Sequence, residues 1–256
     1  MRKAAFSRAT AVVRTMSVAS LVRRDWAARL LAHPRRVDKE LAAVMLRPLV
    51  ESHQPDLERA IYRLARDDDW EVRETSASLL GDALERRFDP YLRIAEGWMA
   101  SGDARLRRAV VVGAKYAARS RRPERAERLL ALVAPARTDH DEYVRRSLGP
   151  FAIGDQFLRS YPDQTFATLE RWAREPDENV RWNVAMAFTT ASGARVAERA
   201  FGILSFLAAD ARPFVGRAVT AAVRNVLRRR PELRAAVAEW DGGSREAIAR
   251  ALRATA

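Results

Sequence analysis

The chain has 256 residues, 48% of them hydrophobic, with 46 Lys and Arg against 33 Asp and Glu for a net charge of +13. It contains no cysteine, which excludes disulfides, a thiol nucleophile and thiolate metal ligation. His33, His53 and His140 do not form a ligand-spaced cluster, and no run of eighteen apolar residues predicts a membrane span. No metal site, no cofactor and no membrane partner are therefore expected, and a cytoplasmic location fits. The positive excess points to a polyanionic partner, nucleic acid ahead of a membrane surface, although a high arginine content can also be a bias of composition.

Residues 1–36 carry nine cationic residues against Asp25 alone, interrupted by Ala5, Val12, Met16, Val18, Leu21 and Val22. Such a stretch reads as a targeting peptide or as a basic amphipathic arm. With no obvious cleavage pattern, a capping helix with a nucleic-acid-facing side is preferred, ending at His33-Pro34. Residues 38–66 predict a helix pair, with Leu41, Val44, Met45 and Leu49 on one buried stripe and Leu57, Ala60, Ile61 and Leu64 on the next. A helix from Asp69-Trp70 through Leu79-Leu80 follows, then one carrying Tyr91, Leu92, Ile94 and Trp98. Trp98 stands eight residues before Leu106 as Trp172 stands before Val180, which predicts a shared packing role for both rings. From Arg105 an inner helix presents Arg108, Lys115 and Arg119 along one broad basic side, and Leu129, Leu130, Leu132 and Val133 form the core of the next outer helix. In the stretch Leu148 to Arg159, Gly149, Pro150 and Gly154 should disturb a regular helix, opening space near Phe151 and Asp155 or fitting a close helix contact. Outer helices are expected over Thr165 to Arg174 and Glu232 to Trp240, with an inner one over Phe214 to Leu227. Residues 241–256 are expected to cap the C-terminal end.

One pattern organises these segments. Asp69 precedes Arg73, Asp103 precedes Arg107, Asp141 precedes Arg145 and Asp177 precedes Arg181, each acid four residues before its arginine. With a looser copy at Arg217, the steps from Arg73 are 34, 38, 36 and 36 residues. A period of this length filled with helical patterns predicts an all-α fold, a curved solenoid of about six helical hairpins forming a single domain over 1–256. In the structural reading the acid satisfies backbone N–H groups at its helix start and the arginines join a ladder between repeats. Direct phosphate contact is the alternative. Arg108, Lys115, Arg119, Arg146, Arg159, Arg224 and Arg228, which stand outside the ladder, are the better candidates for nucleic-acid backbone contact. RNA stays open as an alternative, but regularly interleaved exposed aromatics, the mark of single-strand binding, are missing, so duplex or structured DNA leads.

The segment Tyr143 to Phe188 resembles the DNA-alkylation-repair family of HEAT-like glycosylases. The resemblance rests on Gly149-Pro150-Phe151-Ala152-Ile153, Ser160-Tyr161-Pro162-Asp163-Gln164-Thr165, Leu169-Glu170-Arg171-Trp172-Ala173 and Pro176-Asp177-Glu178-Asn179-Val180-Arg181. Looser similarity covers residues 40–240. The resemblance implies a HEAT-like solenoid that holds duplex DNA and removes cationic alkylated bases. It implies Asp155 as the retained catalytic acid, with Phe151 as an aromatic beside it. The residues themselves leave two roles open for Asp155 and for Trp182: Asp155 serves the reaction or is ordinary polar support, and Trp182 packs against a sugar or modified base or simply against the next hairpin. The chain departs from the family pattern at Pro150, where one branch has a catalytic glutamate. It departs again at Trp182, where another has a second arginine, and at Ala221, where a tryptophan is usual. Three functions stay open: a repair glycosylase acting as a nucleoid-associated monomer, a noncatalytic DNA-binding repeat protein, and a scaffold for an acidic protein partner.

Overall fold

A computed structural model describes residues 20–51 and 54–240, together with Ala249 and Arg253. Most of the basic arm expected at the N-terminus and nearly all of the expected C-terminal cap over 241–256 lie outside the described residues. Among the described residues every regular element is helical. The main helices are α1 Ser20–Ala32, α2 Arg36–Leu46, α3 Gln54–Ala65, α4 Trp70–Arg86, α5 Phe88–Met99 and α6 Ala104–Ala117. They continue as α7 Ala126–Val133, α8 Glu142–Arg146, α9 Pro162–Ala173, α10 Glu178–Ala187, α11 Ala197–Ala208, α12 Pro213–Arg229 and α13 Arg234–Ala238. The last outer helix is shorter than the sequence suggests. Pro231–Leu233 first makes a 3₁₀ turn, as a proline with no N–H to donate does at a helix start.

The periodic pattern folds as one recurring loop. Each aspartate of the pattern caps the helix that follows, its side chain accepting from backbone N–H groups the helix cannot satisfy itself. Asp69 accepts from Glu71 at 2.8 Å, Asp103 from Arg105 at 2.9 Å, Asp141 from Tyr143 at 2.8 Å and Asp177 from Asn179 at 2.7 Å. The arginine four residues on reaches back across the loop to the carbonyl six residues before itself. Arg73 donates to the Asp67 carbonyl at 2.8 Å, Arg107 to Ser101 at 2.9 Å, Arg181 to Glu175 at 2.8 Å, and Arg145 to Asp139. Acid and base of the pattern thus satisfy opposite ends of one loop. The same bonds recur because the same backbone turn recurs.

The chain falls into two compact units, one ending at Ala117 and the other starting at Ala118. In the first, α4 packs along α6 and α3 packs against α4. Trp98 is buried at 9% exposure, edge-on to Tyr62 at 6.2 Å between ring centres. In the second, α10 packs between the segment that follows α8 and α12, while α9 lies against both α7 and α11. Val180, Val184 and Phe188 are fully buried, with Phe166 of α9 at 6.0 Å from Phe188. Burying side chains of this size is worth about 1.5–3 kcal/mol each. Trp172 is likewise buried, and the Arg137 guanidinium lies 5.8 Å from its ring centre.

Candidate nucleic-acid interface

After α8 the chain does not continue as an α-helix. Ser147–Phe157 winds as a π-helix before an α turn at Leu158–Ser160. Two features of the sequence favour the wider winding. Pro150 has no N–H to give to an i−4 carbonyl. Gly149 and Gly154 are five residues apart, which on an α-helix leaves them about 140° from each other. The i→i+5 bonding of a π-helix turns them toward one side, and both meet α10 and the turn after it. A Cβ on Gly149 would lie 2.5 Å from the Asn183 carbonyl oxygen, and one on Gly154 would overlap the Ala187 carbonyl oxygen. Asn183, 1% exposed, locks the contact by accepting from the Gly149 N–H at 2.9 Å and donating to Asn179 at 3.1 Å. Thr190 closes the far end, its hydroxyl donating to the Gly154 carbonyl at 2.7 Å. Glycine and proline therefore produce a close contact by rewinding the helix.

Within this segment Phe151 is half-buried and Asp155 exposed, four residues on. The Ser192 hydroxyl donates to the Asp155 carbonyl at 3.4 Å, which holds its backbone to the short helix Ala191–Arg195 that follows α10. Trp182 is half-buried on α10. Its ring stacks on Phe214 at the start of α12, with 5.7 Å between centres and 9° between planes. The structure thus pairs Trp182 with Phe214, an aromatic the sequence patterns left in the ordinary helix. Phe214 heads Phe214-Val215-Gly216-Arg217, the looser copy of the repeat pattern, but nothing in that pattern pairs it with Trp182.

The candidate phosphate-binding cations divide by environment. Arg119, Arg146, Arg159, Arg224 and Arg228 are exposed. Arg146 pairs with Glu142 one turn back at 2.7 Å, and Arg159 donates to Gln156. Arg108 and Lys115, expected on the same basic surface, are instead buried at 8% and 4% exposure. Arg108 donates to Glu74 of α4 at 3.1 Å, and the Tyr116 hydroxyl donates to the other oxygen of that carboxylate. The acid that draws Arg108 inward is 34 residues away in sequence, so no local pattern announces it.

The ladder arginine Arg181 also meets an acid of the neighbouring repeat. Arg181 reaches Asp210 at 2.8 Å, and Arg212 adds two bonds to the same carboxylate, at 2.8 and 2.5 Å. The Arg212 hydrogen bonds first, and then that of Arg181, outweigh burial and hold the Asp210 carboxyl far below the usual carboxylate range. Asp210 belongs to a second recurring position that the acid–arginine pattern passes over, two residues before each helix start. There Asp67, Ser101, Asp139 and Asp210 accept from the N–H of the helix-start residue, at 3.0, 3.3, 2.9 and 2.9 Å.

A family model described as DNA alkylation repair enzyme matches residues 7–153, which includes Phe151 and stops short of Asp155 and Trp182. No curated protein matches the chain. Among solved structures, a designed armadillo repeat protein in complex with the peptide (KR)4 is 13% identical, covering 78% of this chain and 98% of its own, with a TM-score of 0.34. Two engineered proteins from the Northeast Structural Genomics Consortium are 14% and 13% identical. They cover 88% and 90% of this chain and 66% and 97% of their own, with TM-scores of 0.35 and 0.28.

Proposed function

Because the chain belongs to the DNA alkylation repair enzyme family, we propose that it binds duplex DNA and hydrolyses the N-glycosidic bond of cationic alkylated purines. In this reading the base leaves with the electron pair of the C1′–N bond, which cancels its own positive charge. Positive charge develops on the sugar and a water attacks C1′. The Asp155 carboxylate stabilises that charge, orients the water and takes its proton. Phe151 and Trp182, backed by Phe214, contact the sugar or the modified base. Arg119, Arg146, Arg159, Arg224 and Arg228 hold phosphates, supplying salt-dependent affinity without reading sequence. Arg108 and Lys115 drop out of the contact set because they are buried. The protein acts as a monomer in the cytoplasm, associated with the nucleoid, and needs no metal or cofactor. Among the described residues no helix is long and apolar enough to cross a membrane.

The observation that carries the reading is the π-helix, a rare form that is frequent at functional sites. It presents an exposed carboxylate one turn after a half-buried aromatic. A second reading, DNA binding without base release, is favoured by Pro150, which stands where one branch of the family has a catalytic glutamate. Release of 3-methyladenine and 7-methylguanine from modified duplexes separates the two. The glycosylase reading expects release by the wild-type protein, and binding with no release supports the second.

A further inference from the structure

At the C-terminal ends of α10 and α12, Met186, Thr189, Ala221, Arg224, Leu227 and Arg228 line an open groove of about 600 Å³. Three other grooves, beside α1, α9 and α7, measure about 310, 320 and 280 Å³. The larger one also differs in how its charges are met. Of the arginines at this end of α12, Arg229 is tied to Asn225, and Arg230 is tied to Glu198 and Glu232. Arg224 and Arg228, four residues apart on one helix face, have no hydrogen bond or ion pair with any described residue. Asn225 beneath them is already used, donating to the Phe188 and Thr190 carbonyls at 3.1 and 2.8 Å, which fixes the floor. A track for phosphates alone would need no apolar recess beside it, and an apolar partner would leave two guanidinium charges unmet. A phosphate joined to a flat apolar ring meets both requirements.

We propose that this groove holds one unstacked nucleotide of a bound DNA strand, its phosphate between Arg224 and Arg228 and its base on Met186, Ala221 and Leu227. The source is a strand because Arg217, exposed and with no described partner, continues the cationic line about 10 Å up the same helix. That places it in reach of a neighbouring phosphate. Ala221, between the cations, is the residue whose small side chain leaves the recess open. The proposal rests on the DNA-binding reading above and adds a subsite for a nucleotide outside the duplex stack.

The test uses the full chain with a perfect duplex and with the same duplex carrying a single-nucleotide 2-aminopurine bulge. The bulged duplex should bind about tenfold more tightly, in the range base stacking on protein supplies, with a change in 2-aminopurine fluorescence. Ala221→Trp, which fills the recess, should bring the two affinities within about twofold while binding of the perfect duplex persists. Ala221→Leu is the milder filling variant, and circular dichroism confirms that each variant is folded. Equal wild-type affinity for both duplexes, or a preference that survives both substitutions, overturns the nucleotide subsite and leaves duplex binding standing. Binding of neither duplex overturns the DNA-binding reading and the subsite with it. Competition by free deoxyadenosine monophosphate as strong as that by the bulged duplex overturns the assignment to a strand.

Discussion

Asp210→Asn tests the electrostatic joint between the last two repeats. The carboxylate is 3% exposed and accepts four hydrogen bonds. Oδ1 takes the Arg212 backbone N–H at 2.9 Å and its Nε at 2.8 Å, and Oδ2 takes Arg181 at 2.8 Å and Arg212 Nη2 at 2.5 Å. Asparagine keeps one oxygen and turns an amide N–H₂ toward a guanidinium, so two charge-assisted bonds disappear. Each is worth about 1.5–3 kcal/mol. Arg181 and Arg212, 20% and 35% exposed, recover part of that from water. The net cost is about 2–3 kcal/mol, a fall in Tm of roughly 4–10 °C for a chain of this size. Because the carboxyl is held below its usual range in the folded state, its stabilisation is fully present above its unfolded pKa of about 3.9. It is lost as pH falls further toward the folded value. Thermal melts of both proteins from pH 7 to pH 3 should therefore show a gap that narrows below about pH 4. A variant that melts within about 1 °C of wild type at pH 7, or a gap that widens on acidification, would mean that the Asp210 carboxylate does not hold this joint.

Gly154→Ala should destabilise by about 1–3 kcal/mol, read as a lower Tm, because its Cβ has no room beside the Ala187 carbonyl. Replacing Arg146, Arg159, Arg224 and Arg228 together by Gln should weaken duplex binding equally across sequences. The slope of log affinity against log salt should fall by about 0.9 for each phosphate that the variant no longer neutralises. Arg108→Gln should do the opposite, costing about 1–3 kcal/mol of stability through the Glu74 pair while leaving that slope unchanged.

The helical repeat is legible in the sequence because its signal is local. An aspartate cap and an arginine that reaches its own loop sit within ten residues of each other, and each recurrence restates the same turn. The disturbance at Gly149, Pro150 and Gly154 is legible too, but its form is not. Winding of the segment depends on Asn183 and the Ala187 carbonyl, about 34 residues downstream. The same limit hides the burial of Arg108 against Glu74 and the stacking of Phe214 on Trp182, both of them contacts between neighbouring repeats. Sequence spacing places a residue on a helix face, and the helix beside it decides whether that face meets water. The oxygen-bearing residues two positions before four of these helix starts, Asp67, Ser101, Asp139 and Asp210, form a second column of the repeat that is equally local in sequence.

In the glycosylase reading, the Asp155 carboxylate supports base release. Asp155→Asn keeps the size of an exposed side chain and removes its charge, so folding and duplex affinity should stay near those of wild type. The direct measurement is single-turnover release of 3-methyladenine, 7-methylguanine and one bulky N-linked purine adduct from duplex DNA by both proteins, with circular dichroism and binding alongside. Wild type should release the bases, and the variant should lose roughly tenfold to thousandfold in rate. Robust release by wild type with an unchanged rate in the folded variant would contradict that role for Asp155.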